Sequence, residues 1–125
     1  MVDLDVIMQS LLDSVPGAVG VALVDSTSGM SLAHAIQPSY GLSPEGLSIA
    51  AAGNANVIRA MVNTIRDMGV TDEIDDIMMT LDDQYHLVEV LKDENLFIFL
   101  AVSREGSNLS LARFRVNRAS ANINL

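Results

Sequence analysis

Three apolar segments in the second half of the chain are separated by connections too short for a parallel crossover. Residues 74–81 largely alternate apolar and polar side chains, residues 85–91 are rich in Leu and Val, and residues 96–102 are apolar throughout. The intervening residues 82–84 and 92–95 are polar. Because a parallel connection needs about a dozen residues or more, the three segments are predicted to form an antiparallel meander.

The first third of the chain predicts a helix followed by a β-hairpin. Apolar residues at spacings of three and four indicate an amphipathic helix over residues 2–14, which Pro16-Gly17 ends. Two short apolar segments follow, at residues 18–25 and 30–37, around the turn-forming composition of residues 26–29. This arrangement is typical of a hairpin.

A long helix is predicted between the hairpin and the meander. Ser43 can cap it, Pro44 suits its first position, and Gly69 can end it after about Met68. Its apolar residues are Leu47, Ala50, Ala51, Val57, Ile58, Met61, Val62, Ile65 and Met68. They cover more than one face, which indicates a helix covered by its own sheet and by a second subunit; the alternative is one broad face on a single core.

A last helix completes an α-β-β-α-β-β-β-α order. Ser107 and Asn108 can cap it, and apolar residues at helical spacing continue to Ile123. This order predicts an α+β fold of two to three layers, with a five-stranded antiparallel sheet and helices on both faces. Since no linker, repeat or low-complexity segment interrupts it, residues 1–125 are expected to form one domain.

Composition restricts the function classes. A net charge of −9 disfavours nucleic-acid binding, and the absence of cysteine excludes disulfides and thiolate sites. The longest strongly apolar stretch, residues 96–102, is far shorter than the roughly 20 residues that span a bilayer, and Asp3 and Asp5 do not suit a secretory signal. We therefore expect a cytoplasmic protein. The high hydrophobic content of 50% suggests that a partner covers some apolar surface.

Charge is unevenly distributed along the chain. Residues 67–94 carry ten acids against Lys92 alone, whereas the last stretch carries Arg104, Arg113, Arg115 and Arg118 against Glu105. The two regions are interpreted as solvated faces of opposite sign. An alternative is that they steer partners, or each other in an oligomer.

The sequence lacks the patterns of a catalytic or cofactor-binding site. Neither GxGxxG, GxxxxGK[ST] nor GxSxG occurs. Asp25 ends an apolar strand, but Thr27 stands where a phosphatase needs a second carboxylate, so Asp25 is interpreted as a turn residue. The acids of residues 72–76 lack the glycine of a calcium loop and are expected to keep the start of a strand soluble or to protect a sheet edge. His34 and His86 are interpreted as structural or surface residues, so no enzyme activity, cofactor or metal is predicted.

The order of elements and several short strings resemble the roadblock/dynein-light-chain family. The strings are residues 15–25 with Gly29, residues 51–52, 77–81, 85–87, 96–102 and 107–113. They extend over almost the whole chain, and the resemblance depends on their order and spacing because the family has no invariant catalytic motif. An acidic chain without a tail or extension is most similar to the stand-alone prokaryotic members.

The resemblance implies a profilin-like sheet with the first and last helices on one face and the long helix on the other. Family members form homodimers or heterodimers by pairing the third strand edge to edge and packing the long helices together. They serve as dynein light chains, as lysosomal scaffold subunits and, in prokaryotes, as regulators of Ras-like GTPases. The implied function is a non-enzymatic homodimeric protein-binding module that regulates or scaffolds a small GTPase system; a small-molecule sensor is the alternative.

No catalytic residue can be transferred from the family to this chain. The resemblance and the two-sided long helix together predict only a dimer interface. Its residues are Val57, Ile58, Met61, Ile65, Ile77 and Met79.

Overall fold

The computed structural model describes residues 3–92 and 94–123, which form three α-helices and five β-strands in the predicted order. Their bounds are α1 Leu4–Ser14, β1 Ala18–Asp25, β2 Ser31–Ile36, α2 Pro44–Asp67, β3 Asp76–Thr80, β4 Gln84–Leu91, β5 Leu96–Ser103 and α3 Leu109–Ala121, with a short 3-10 turn at Pro38–Tyr40. Val2, the predicted start of the first helix, and Asp93, in the predicted connection before β5, lie outside the described residues.

The five strands form one sheet in the order β2-β1-β5-β4-β3, and every neighbouring pair is antiparallel. The β1–β2 hairpin and the β3–β4–β5 meander are both confirmed. The hairpin joins the meander through the pairing of β1 with β5. These two strands, which are the most apolar ones, therefore lie side by side inside the sheet. This order leaves β2 and β3 at the two edges of the sheet.

The predicted ends of α2 are confirmed by its hydrogen bonds. The Ser43 hydroxyl accepts from the Gly46 N–H at 3.0 Å, and Pro44 occupies the first turn, where no N–H partner is needed. At the other end Gly69 adopts a φ of 79°, in the left-handed region that glycine tolerates, and its N–H donates to the Arg66 carbonyl. The 24-residue helix is therefore about 36 Å long.

Each face of the sheet has its own hydrophobic core. One core includes Met8 and Leu12 of α1, Val116 of α3 and the alternate side chains of the central strands. The other lies under α2 and includes Phe97 and Phe99 of β5. The helices are thus arranged as expected, with α1 and α3 on one face and α2 on the other.

The third strand is shorter than the predicted segment of residues 74–81. Its C-terminal end stops at Thr80 because the Leu81 N–H donates to the Gln84 carbonyl at 2.8 Å and so closes the hairpin turn. Before Asp76 the chain leaves the strand, and Ile74 lines a cleft beside α2. None of the described helices combines the length and the apolar character needed to cross a bilayer.

Candidate protein-binding surface

The long helix packs on the sheet through one row of side chains. Leu47, Ala51, Ala55 and Ile58 are buried in the core beneath it, mainly against β1 and β2. Beyond Ile58 none of the helix residues is buried, although the helix continues to Asp67. Its C-terminal half therefore extends past the part of the sheet that covers it.

A second row on the same helix is apolar and exposed. Val57, Met61, Thr64 and Met68 follow one another at spacings of four, three and four, which places them on one flank. Val57 is 38% exposed and Met61 is 42% exposed. Exposed apolar side chains scattered singly are normal, but an ordered row of them is typical of a surface that another molecule covers.

The edge strand β3 presents apolar side chains on the α2 side of the sheet. Ile77 is paired with Val88, which belongs to the core under α2, so Ile77 and Met79 point to that same face. Both are half-buried. Met78 points to the opposite face and is exposed, so the strand is apolar on both faces.

The backbone of β3 is open along its outer side. The Val90 N–H donates to the Asp75 carbonyl and the Leu81 N–H to the Gln84 carbonyl. In this register the alternate residues Asp76, Met78 and Thr80 direct their N–H and C=O groups away from β4. No described strand lies beyond them, so this edge can accept another strand.

Five of the six predicted interface residues lie on accessible or partly accessible surface. Val57 and Met61 are exposed on the flank of α2, Ile77 and Met79 are half-buried on β3, and Ile65 is half-buried beside the cleft described below. Ile58 differs: it is only 6% exposed and belongs to the core under α2. Its side chain anchors the helix to its own sheet, so we leave it out of the candidate surface.

His86 adjoins this surface, although no motif in the sequence marks it. It lies on β4 opposite Met79, with its ring edge-on to Phe99 at 5.1 Å and its Nε2 2.8 Å from the Gln84 Oε1. Burial lowers the pKa of His86 from its ordinary value, which favours the neutral ring. Strand alternation places Met79 on the α2 side of the sheet. His86 is on the same side because it is paired with Met79 in the register of β3 with β4.

The acids around β3 are accompanied by cations. Lys92 forms ion pairs with Asp75 and, at 3.6 Å, with Glu73, and the bond to Asp75 raises the pKa of Lys92. Arg113 of α3 pairs with Asp76 at 2.6 Å. The acids therefore border an edge strand, as their position suggested, and two cations partly offset their charge.

The described residues do not assemble a catalytic constellation from the two histidines. His34 is exposed on β2, whereas His86 is on β4; β1 and β5 lie between, which corresponds to roughly 14 Å across the sheet. No group of three or more His, Asp or Glu that could hold a metal occurs among the described residues. Asp25 accepts from the N–H groups of Thr27 and Ser28, which confirms it as a turn residue and lowers its pKa, with the Ser28 bond contributing most.

A cleft of about 350 Å³ lies beneath the overhanging end of α2. Side chains from α2, from the connection to β3 and from the ends of β4 and β5 line it. Its apolar wall consists of Ile58, Val62, Ile65, Val70, Ile74, Val90, Leu91 and Leu96. Its size and apolar lining are within the range of small-molecule sites.

The sequence matches no protein-family model and no curated protein. Solved structures do match. A Roadblock/LC7 domain from Streptomyces avermitilis has a TM-score of 0.81 at 17% identity, covering 96% of this chain and 93% of that one. Myxococcus xanthus MglB has a TM-score of 0.77 at 18% identity, covering 94% and 88%. An MglB with a tetrameric arrangement has a TM-score of 0.76 at 18% identity, covering 91% and 79%.

These comparisons, together with the strand order and the placement of the helices, define an α+β protein whose sheet lies between two helices and one long helix. The fold is that of Roadblock/LC7 domains. At 17–18% identity the likeness establishes the fold, and at that level it confirms the resemblance found in the sequence.

Proposed function

We propose that this chain is a cytoplasmic, single-domain, homodimeric protein-binding module without enzyme activity of its own, and that it regulates or scaffolds a small Ras-like GTPase. The observation that carries the proposal is the apolar surface formed by the flank of α2 and the open edge of β3. Exposing such a surface to water is unfavourable, and the same surface on a second copy of the chain can cover it. The Roadblock/LC7 fold supports the same reading, because the sequence resemblance implies this mode of pairing.

The proposed dimer joins two β3 strands antiparallel about a twofold axis. The outward N–H and C=O groups of Asp76, Met78 and Thr80 would then find partners, and the two sheets would become continuous. Val57 and Met61 of each long helix would meet above the joined strands. Val57 and Met61 are only 38% and 42% exposed, so burying the remainder of each contributes less than the roughly 1.5–3 kcal/mol of a fully exposed side chain, and the pairing of the β3 strands must add to it.

Sedimentation velocity over a range of micromolar concentrations tests the dimer. The unaltered chain is expected to sediment as a dimer, and Met61→Asp is expected to yield monomers because it introduces a charge into the apolar row. Ile49→Asp is the matched control, since Ile49 is 74% exposed on the same helix but outside that row. Circular dichroism of both variants checks that the fold is retained.

A monomeric unaltered chain at micromolar concentration would contradict the proposed dimer. Equal effects of Met61→Asp and Ile49→Asp would contradict the assignment of the surface to the flank of α2.

The GTPase assignment is tested by direct binding. The purified chain is mixed with the Ras-like GTPase encoded nearest to its own gene, loaded with GDP or with a non-hydrolysable GTP analogue, and analysed by size-exclusion chromatography. We expect co-elution that depends on the nucleotide, and no GTP hydrolysis by the chain alone. Failure to bind the GTPase in either nucleotide state would contradict this part of the proposal and leave the dimer standing.

The cleft beneath α2 favours one alternative, a small-molecule sensor. A ligand that occupies the cleft should raise the melting temperature as mass action requires. A screen of small apolar compounds by thermal shift tests this, with Val62→Trp as a variant whose larger side chain fills the cleft. A compound that stabilises the unaltered chain and not Val62→Trp would support the sensor; a screen without any such compound would count against it.

A further inference from the structure

Five of the seven cationic side chains are bonded to other parts of the described chain. Arg59 donates to the carbonyls of Ser26 and Thr27, Arg66 to Asn63, Arg104 to the Leu81 carbonyl and Arg113 to Asp76, while Lys92 pairs with Glu73 and Asp75. The guanidinium groups of Arg115 and Arg118 form no hydrogen bond or ion pair with another described residue. These two arginines therefore have no bonded role within the described part of the fold.

Both of these arginines lie beside one exposed aromatic ring. The guanidinium carbons of Arg115 and Arg118 are 5.9 Å and 5.7 Å from the ring centroid of Phe114, within the range of cation–π contacts. Phe114 is 51% exposed, because α3 packs on the sheet through Ala112 and Val116 instead. Phe and Arg are enriched at protein interfaces, where an apolar ring and a weakly hydrated cation lose little on desolvation.

An apolar groove adjoins this arginine pair. It lies between α1 and α3 and has a volume of about 360 Å³. Ile7, Leu11 and Ala119 contribute its apolar wall, and Arg115 lies at its margin. A partner segment can therefore place an apolar side chain in the groove while its charged groups reach the arginines.

The charges on either side of Phe114 select the partner. Toward β3 the ring borders a cleft lined by Asp75, Asp76 and Glu89 and by Arg113, which offsets only part of their charge, so carboxylates of a partner would be repelled there.

The ring is also beside Arg115 and Arg118, and of these Arg115 extends to the groove. Described α3 contains no acidic residue, whereas α1 carries Asp5 and Asp13, with Asp3 at its N-cap, and no cation. A segment in the groove is therefore expected to direct its carboxylates to the α3 side, where the arginines lie.

We propose that the surface formed by Phe114, Arg115, Arg118 and the α1–α3 groove binds an acidic segment of another protein. An apolar side chain of that segment enters the groove, and its carboxylates bond to the two guanidiniums. The net charge of −9 repels an anionic lipid surface or a nucleic acid as a whole, whereas a short peptide meets only the local field. This surface is on the opposite face of the sheet from α2, so a dimer formed through α2 and β3 leaves it open.

Fluorescence anisotropy with a defined probe tests the proposal. The probe is a fluorescein-labelled peptide in which aspartates and glutamates flank two leucines, and its control replaces every acid by the corresponding amide. We expect the acidic probe to bind, with an affinity that falls as salt rises. The double variant Arg115→Gln with Arg118→Gln should weaken binding by about tenfold or more, which equals about 1.4 kcal/mol, and Phe114→Ala should also weaken it.

Arg66→Gln is the matched control, because it removes the same charge from an exposed site on α2 and should change the affinity less than about twofold. Three results would overturn the proposal: absence of binding, equal binding of the amide peptide, or an equal loss in Arg66→Gln. Binding of phosphatidylserine vesicles with the same arginine dependence, without binding of the peptide, would assign the surface to a membrane instead. Repeating the titration with Met61→Asp separates the two proposals, since peptide binding should survive whatever that variant does to the dimer.

Discussion

Arg113 and Asp76 form an ion pair, with the Arg113 Nη2 2.6 Å from the Asp76 Oδ2, that ties the last helix to the edge strand. Asp76 follows Asp75 and is paired across the strands with Glu89. Three carboxylates, those of Asp75, Asp76 and Glu89, therefore lie together at one end of the proposed dimer edge, and Arg113 is the cation that α3 places beside them.

Replacing Arg113 should destabilise the fold modestly. Arg113→Gln leaves Asp76 beside two other acids without its cation, and we expect a loss of about 0.5–1 kcal/mol, because both side chains of the pair are partly exposed. Urea unfolding at one fixed protein concentration measures it, and the loss should shrink in high salt. Arg115→Gln is the control for charge alone. If Arg113→Gln lowers the unfolding free energy just as much in a chain that already carries Asp76→Asn, the ion pair is not the cause.

Glu89 should make the fold less stable as pH rises. Burial raises the pKa of Glu89, and the nearby Asp76 and Asp75 act in the same direction, while the hydrogen bond from Asn117 opposes them. A raised carboxyl pKa contributes stability below the unfolded value, about 4.3, and that contribution is lost as pH rises through the folded pKa. Glu89→Gln should therefore raise the melting temperature at pH 7, and the difference should vanish near pH 4. A difference that persists at pH 4 would point to another cause.

His86 should make the fold less stable in acid. Because burial lowers its pKa, the neutral ring contributes stability above the unfolded value of about 6.5, and this is lost as pH falls through the folded pKa. An NMR titration should place the midpoint of His86 below its ordinary value of about 6.5. Because His86 is paired with Met79 of the proposed dimer edge, sedimentation should also show weaker dimers over the same pH range. A midpoint for His86 at or above about 6.5 would contradict the burial argument.

Asn54 is a buried polar residue whose Oδ1 has no hydrogen-bond partner in the described structure. Its Nδ2 donates only to the Ala50 carbonyl, one turn earlier in α2. Asn54→Ala removes an unsatisfied acceptor and has a better helix propensity, so we expect a gain of about 0.5–1.5 kcal/mol in unfolding free energy. Asn63→Ala, at an exposed position of the same helix, measures the propensity together with the loss of one weak exposed hydrogen bond from Arg66. A gain in Asn54→Ala no larger than that of Asn63→Ala would show that the orphan acceptor costs nothing.

Local signals in the sequence predicted the elements well. Ser43, Pro44 and Gly69 mark the ends of α2 through capping, a fixed φ and a left-handed φ, all of which depend on a few neighbouring residues. The short polar connections of the meander likewise admit only antiparallel pairing. Asp25 was correctly interpreted because its two acceptor bonds reach only to Thr27 and Ser28.

The sequence by itself determined which segments form helices and strands, and that the long helix carries more apolar surface than one core requires. Only the tertiary structure decided that Ile58 faces the sheet while its neighbour Val57 faces outward, because adjacent helix residues differ by 100° and the position of the helix on the sheet sets the phase. Likewise the pairing of β1 with β5, which leaves β3 at an edge, and the ion pair of Arg113 with Asp76 join residues far apart in the chain. Such contacts depend on how all the elements pack at once, and local spacing carries no record of them.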